Sequence, residues 1–191
     1  MSHTRDNALV RFFRGRFGNM VYKNYDGVSV LSRVPNMAGV KWSKAQKANR
    51  HRFSDAAAYA QRALEIPEMA AFYESRRKRM QYAWNVAISD YMLNPEICEI
   101  KLEKYQGRTG DTIRVTAHDK YRVAAVIVTI LNALGLEVES GMAVNMPNGD
   151  WVYQAKEENP QWRGGSVVVE VRDVPGNRVV ERRTTNDERR T

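Results

Sequence analysis

The chain has 191 residues, 43% of them hydrophobic and 27% charged, with a formal net charge of +8 at pH 7; this is enough to bury one core of good size or two small ones. A single cysteine, Cys98, excludes an internal disulfide staple and any need for an oxidising compartment, and no apolar run has the length to span a membrane. Residues 1–90 hold sixteen Lys and Arg against seven Asp and Glu, a net +9, whereas residues 91–191 hold fourteen against fifteen, a net −1, so the first half presents either a positive field suited to a polyanion or acidic protein surface, or a solvated basic face.

The N-terminus, Met1 to Val10, is polar and runs into Arg11, Arg14 and Arg16 without an apolar stretch of signal-peptide length. Cytoplasmic synthesis is the expectation, and a virion component or a leaderless export product reads the same way. Gly15-Arg-Phe-Gly18 pairs two glycines beside an arginine, as an anion-cradling loop does. It lacks the third glycine of a dinucleotide fingerprint and the Gly-Lys-Ser/Thr of a P-loop, so a bulge or tight bend leading into a strand is the simpler reading.

From Phe17 to Val34, β-branched and aromatic residues flank Asp26-Gly27. Asp-Gly supplies the positive φ angles of a two-residue hairpin turn, and Pro35 ends the second strand. A lone two-stranded ribbon is marginal in water, so one face needs cover from a helix, a sheet or another subunit. Its apolar positions, Phe17, Val21, Tyr22, Val28, Val30 and Leu31, form the expected assembly interface.

Ser43-Lys-Ala-Gln46 has capping-box spacing and predicts a helix from Lys44 to about Ile66, with Phe53, Ala56, Ala57, Ala60 and Leu64 on one stripe. Pro67 suits the first turn of a second helix, Glu68 to about Met80, and a third is expected from Gln81 to Leu93 with Trp84, Ile88 and Tyr91 facing a core. Lys44, Lys47, Arg50, Arg52, Arg76, Arg77, Lys78 and Arg79 are the candidate polyanion contacts, because several cations together neutralise phosphates without reading sequence.

After Asn94-Pro95 the periodicity changes from helical to two-residue. Strands are expected around 97–102, 112–117, 123–131, 136–139, 151–154, 166–171 and 177–181, separated by turn glycines at 110, 135, 141, 149 and 164–165. Each strand has one apolar side to hide, so two sheets packed face to face follow. The fold expected is α+β: residues 1–94 a basic hairpin and helical region, 95–183 an antiparallel β-sandwich, and 184–191 a disordered polar tail.

The stretches Gly110-Asp-Thr-Ile-Arg-Val-Thr-Ala-His-Asp119, Val123 to Ile130, Gly149-Asp-Trp-Val-Tyr153 and Val171-Arg-Asp-Val-Pro-Gly-Asn177 resemble bacterial Ig-like domains of the fibronectin-type-III or cadherin-like sort. The resemblance covers about half the chain and implies a sandwich rather than an activity. The Gly15-Arg-Phe-Gly-Asn-Met-Val-Tyr22 hairpin and the Lys41-Trp-Ser-Lys-Ala-Gln46 helix start are similar to uncharacterised bacterial and phage-associated proteins, which imply no activity. Some Ig-like relatives hold calcium through carboxylates, and Asp119, Asp150 and Asp173 can be compared with such ligands; turn stabilisation is the alternative, and no metal or cofactor is expected. His3, His51 and His118 lack zinc spacing, and no nucleophile elbow or glycosidase carboxylate pair is readable.

The expectation is a non-enzymatic structural protein, one that self-associates by strand addition from the hairpin and by contacts of the Ig-like domain into a filament, ring or virion-like component. The partners would be copies of the chain or other structural subunits, with no small-molecule substrate. The alternative is a nucleic-acid-binding module using the basic helices.

Overall fold

The computed structural model describes residues 2–4, 14–25, 28–36 and 38–185. The Asp26-Gly27 turn, Arg11 and tail residues 186–191 lie outside the described residues. Strands and helices both occur, and the pairing within each sheet is antiparallel, so the chain is α+β. It divides into two compact units, Met1–Val86 and Ala87–Thr191.

In the first unit, β1 (Ser2–Thr4), β2 (Gly15–Phe17), β3 (Met20–Tyr25) and β4 (Val28–Arg33) form one sheet in the order β1-β4-β3-β2. The predicted ribbon is β3 and β4, paired from Met20↔Arg33 to Tyr25↔Val28. Its two flanks are taken by β1 and β2, so the free edges of the sheet belong to those short strands. Gly18 has φ 57 and turns β2 back onto β3, with Phe17 paired to Met20. The Gly15-x-x-Gly18 motif is thus a strand and a tight turn, a conformation glycine enters without a Cβ penalty.

The helix α1 (Lys44–Glu65) begins with the predicted capping box: the Gln46 amide donates to Ser43 Oγ at 3.2 Å and the Ser43 amide to Gln46 Oε1 at 2.9 Å. Its buried stripe is Ala56, Ala60 and Ala63, while Phe53 is 49% exposed. Small side chains here let α2 (Pro67–Glu74) approach, and Tyr59 and Tyr73 meet hydroxyl to hydroxyl at 2.7 Å.

Two boundaries differ from the periodicity. The second helix stops at Glu74 rather than about Met80, because Ser75 takes over as C-cap, donating its hydroxyl to the Phe72 carbonyl at 2.8 Å, and Met80 has φ 66. The third, α3 (Ala83–Met92), buries Val86, Ala87, Ile88 and Asp90 and leaves Trp84 40% exposed, a face rotated from the predicted stripe.

The second unit holds the remaining strands: β5 (Glu96–Lys101), β6 (Thr112–His118), β7 (Val123–Leu131), β8 (Glu137–Met142), β9 (Val144–Asn145), β10 (Trp151–Gln154), β11 (Ser166–Asp173) and β12 (Arg178–Thr184). They form two sheets, ordered β5-β6-β10-β9 and β12-β11-β7-β8. Alternate residues of both sheets enter one core: Ile100, Ile113, Val115, Trp151 and Tyr153 from the first, Val126, Val128, Ile130, Val167, Val169 and Val171 from the second. Tyr153 donates its hydroxyl to Glu139 on β8 at 2.8 Å, tying the sheets together. Burial, with that carboxylate, pushes the Tyr153 hydroxyl pKa up.

At the C-terminal end, β12 runs through Thr184, and Thr185 donates its amide to Gly165 at 3.1 Å and its hydroxyl to the Trp162 carbonyl. The first two residues of the expected tail are therefore held to the sheet by paired backbone groups.

Candidate functional site

In an antiparallel pair, directly opposed residues share a face. The register in the N-terminal sheet puts Phe17, Met20, Tyr22, Leu31 and Arg33 on one side, and Arg16, Val21, Lys23, Tyr25, Val28, Val30 and Ser32 on the other. The expected assembly interface is therefore split. Phe17, Tyr22 and Leu31 belong to one face; Val21, Val28 and Val30 belong to the opposite one and are half-buried.

The first face is exposed toward β2 and covered toward Ser29, which shares it and is buried. Phe17 is 88% accessible, Met20 beside it 42% and Leu31 36%, with Tyr22 half-buried between them. Arg16 Nε donates to the Gly18 carbonyl at 3.0 Å, and the Val34 amide to Asn19 O at 2.7 Å, which fixes the turn carrying Phe17 and Met20. Arg33 is exposed on this face, Arg16 and Lys23 are exposed on the opposite one, and no acidic residue occurs among the described residues from 14 to 36.

The polyanion candidates fall in two groups. Lys44, Lys47, Arg50 and Arg52 are exposed on the first turns of α1, and the Arg50 guanidinium stacks on the Trp42 ring at 4.5 Å. Lys44, Lys47 and Arg50 recur every three residues on the side opposite Ala56 and Ala60. No acidic residue occupies that first turn, although the positive end of a helix ordinarily favours one.

Arg76, Arg77, Lys78 and Arg79 lie on the connection between α2 and α3 rather than on a helix. Two of them have local work: Arg76 sits 3.7 Å over the Phe72 ring, and Arg77 pairs with Glu74 and donates to Gln81 O at 3.4 Å.

In the second unit, Asp90 of α3, Asp119 after β6 and Asp173 at the end of β11 bring carboxylate oxygens within 4.8 Å of one another. Asp119 and Asp173 were both singled out by the sequence. Asp150 is elsewhere, accepting from Thr116 Oγ1 at 2.8 Å and Asn148 Nδ2 at 2.9 Å. Asp90 is fully buried; it sits on a helix in an apolar pattern, where spacing along the chain carries no sign of its neighbours.

Each loop aspartate organises a turn. Asp119 Oδ1 accepts the Tyr121 and Arg122 amides, each at 2.7 Å; Asp173 Oδ1 accepts those of Gly176 at 2.9 Å and Asn177 at 2.6 Å. Asn177 Nδ2 then faces Asp173 Oδ2 at 2.7 Å and the last carbonyls of α3, Leu93 O at 2.8 Å and Tyr91 O at 3.1 Å. The Asp173-x-x-Gly-Asn177 motif thus closes the β11–β12 turn and caps a helix.

Burial, reinforced by the Asp119 charge, raises the Asp173 carboxyl pKa even though Asn177 and Gly176 donate to it. These bonds make turn residues of Asp119 and Asp173 and use only Oδ1 of Asp119, whose Oδ2 is buried without a hydrogen-bond partner. The chain matches no protein-family model and no curated protein. Its own geometry is therefore what bears on function.

Proposed function

We propose that the chain is a non-enzymatic structural protein that self-associates through its N-terminal sheet, with an Ig-like sandwich as its second unit. The observation that carries this reading is the exposed row of Phe17, Met20 and Leu31 on a sheet whose outer edges are the short strands β1 and β2. Large apolar side chains clustered on one face favour a partner, since covering them removes apolar area from water. Because β1 and β2 flank the hairpin, strand addition would proceed from their edges rather than from β3 or β4.

The Ig-like part of the proposal is supported by strand order. In chain order β5 to β12 correspond to strands A, B, C, C′, D, E, F and G, and the sheets β5-β6-β10-β9 and β12-β11-β7-β8 then read A-B-E-D and G-F-C-C′. Closed or open head-to-tail contacts would make a ring, a filament or a virion-like component.

Light scattering after size exclusion, over a range of concentration and at low and high salt with nuclease present, tests self-association. The expected result is a nuclease-resistant mass above the monomer that grows with concentration, and its reduction by Phe17→Ser. A monomer at every concentration would remove the proposal. The second reading, a nucleic-acid module, is favoured by Lys44, Lys47 and Arg50 on the outer side of α1; in the same experiment it predicts copurifying nucleic acid shed by salt.

A further inference from the structure

Adjacent basic residues occur in three places in the chain: Arg76-Arg-Lys-Arg79, Arg182-Arg183 and Arg189-Arg190. The last pair lies outside the described residues. Arg182 and Arg183 are held in the ladder of β12, opposite Val168 and Val167 of β11. Arg76, Arg77, Lys78 and Arg79 instead occupy the connection between α2 and α3, and all four are exposed.

The centre of that connection is a tight turn. The Gln81 amide donates to Lys78 O at 3.0 Å, and the Lys78 amide to Gln81 Oε1 at 3.3 Å, so the Arg79–Met80 peptide is the middle one of the turn. Met80, its third residue, has φ 66 and is the one non-glycine residue with positive φ among the described residues. That position suits glycine or asparagine, because a larger side chain is crowded there, so methionine holds the turn under strain. The strain opposes closure, and few bonds resist opening: the contacts of Arg76 with the Phe72 ring and of Arg77 with Glu74 are at exposed side chains, where such pairs hold weakly.

We propose that Arg76–Arg79 is a processing site, cut after Arg79 by a protease whose substrate groove is acidic. Such a groove takes its substrate extended, and opening the turn lays four consecutive cations along it. Exposed polar connections are where a protease finds chain it can extend; residues held in a helix or a ladder are not. Hydrolysis adds water across the Arg79–Met80 amide, leaving a carboxylate on Arg79 and a free amine on Met80. The cut falls between elements, with α1, α2 and the N-terminal sheet in residues 1–79, and α3 and β5 to β12 in residues 80–191. Residues 1–79 hold sixteen Lys and Arg against six Asp and Glu, a net +10, and residues 80–191 hold fourteen against sixteen, a net −2. Cleavage therefore divides a basic piece from an acidic one.

The test uses the full chain and a subtilisin-family protease specific for adjacent basic residues, with products identified by mass. A product beginning at Met80 is expected, formed at a rate within about a hundredfold of that for a free peptide of residues 72–84, while the bond after Arg183 stays intact. Arg79→Gln, verified as folded by circular dichroism, is expected to abolish the Met80 product, since it removes the cation at the cut and leaves the backbone bonds of the turn. A native chain cut more slowly than that limit returns the four cations to the polyanion reading and overturns the processing site. Cleavage after Arg183 before Arg79, or a Met80 product that persists in Arg79→Gln, overturns it as well.

Discussion

At the scale of single residues, the acidic corner of the second unit sets a dependence on pH. The folded pKa of Asp173 lies above its ordinary value of 3.8, chiefly through burial and with a contribution from the Asp119 charge. The folded state therefore holds that proton more tightly than the unfolded chain does. The stabilisation is fully present below 3.8 and is lost as pH rises through the folded value. Asp119→Asn keeps an oxygen for the Tyr121 and Arg122 amides but removes the charge. The melting temperature of Asp119→Asn minus that of the wild type is expected to increase as pH rises from about 4 to 7, because the Asp119 charge no longer opposes ionisation of Asp173; a difference flat with pH would mean that the two carboxylates do not interact. Asp119 and Asp173 stood out in the sequence as loop aspartates. Asp90 did not, because a helical position three residues before Leu93 gives no hint that two distant loops converge on it.

At the scale of elements, the end of α3 is held by a side chain 84 residues away, the Asn177 amide facing Leu93 O. The last carbonyls of a helix have no partner within it, and a hydrogen bond that meets one contributes about 0.5–1.5 kcal/mol. Asn177→Ala is expected to lower the stability of the second unit by about that amount and to speed amide exchange first in the terminal turn of α3; uniform acceleration throughout the unit would assign Asn177 to the turn alone. Element boundaries show where local signals compete. The capping box at Ser43 was decisive because its bonds are made within three residues. The end of α2 was misread because good helix formers continue through Arg79 while Ser75 and the positive φ of Met80 close the helix sooner.

At the scale of the whole molecule, the hydrophobic cluster shared by the two sheets of the second unit is drawn, among the described residues, from residues 97–179. A fragment of residues 87–191 is expected to retain strand circular dichroism and to melt cooperatively; a fragment without a transition would make the sheets dependent on the first unit. The positive field travels with the other half, so the same fragment is expected to lose the retention on a cation exchanger that the whole chain shows. The α+β class, the strand-rich second half, the hairpin strands and the charge division were all fixed by the sequence alone, because alternation, turn glycines and charge are properties of neighbours along the chain. Tertiary structure decided which apolar hairpin residues face outward, which strands flank the ribbon, and that Asp90 joins Asp119 and Asp173. Those facts depend on register and on contacts between residues far apart in sequence, where a shift of one position reverses a face and local pattern carries no information about the partner.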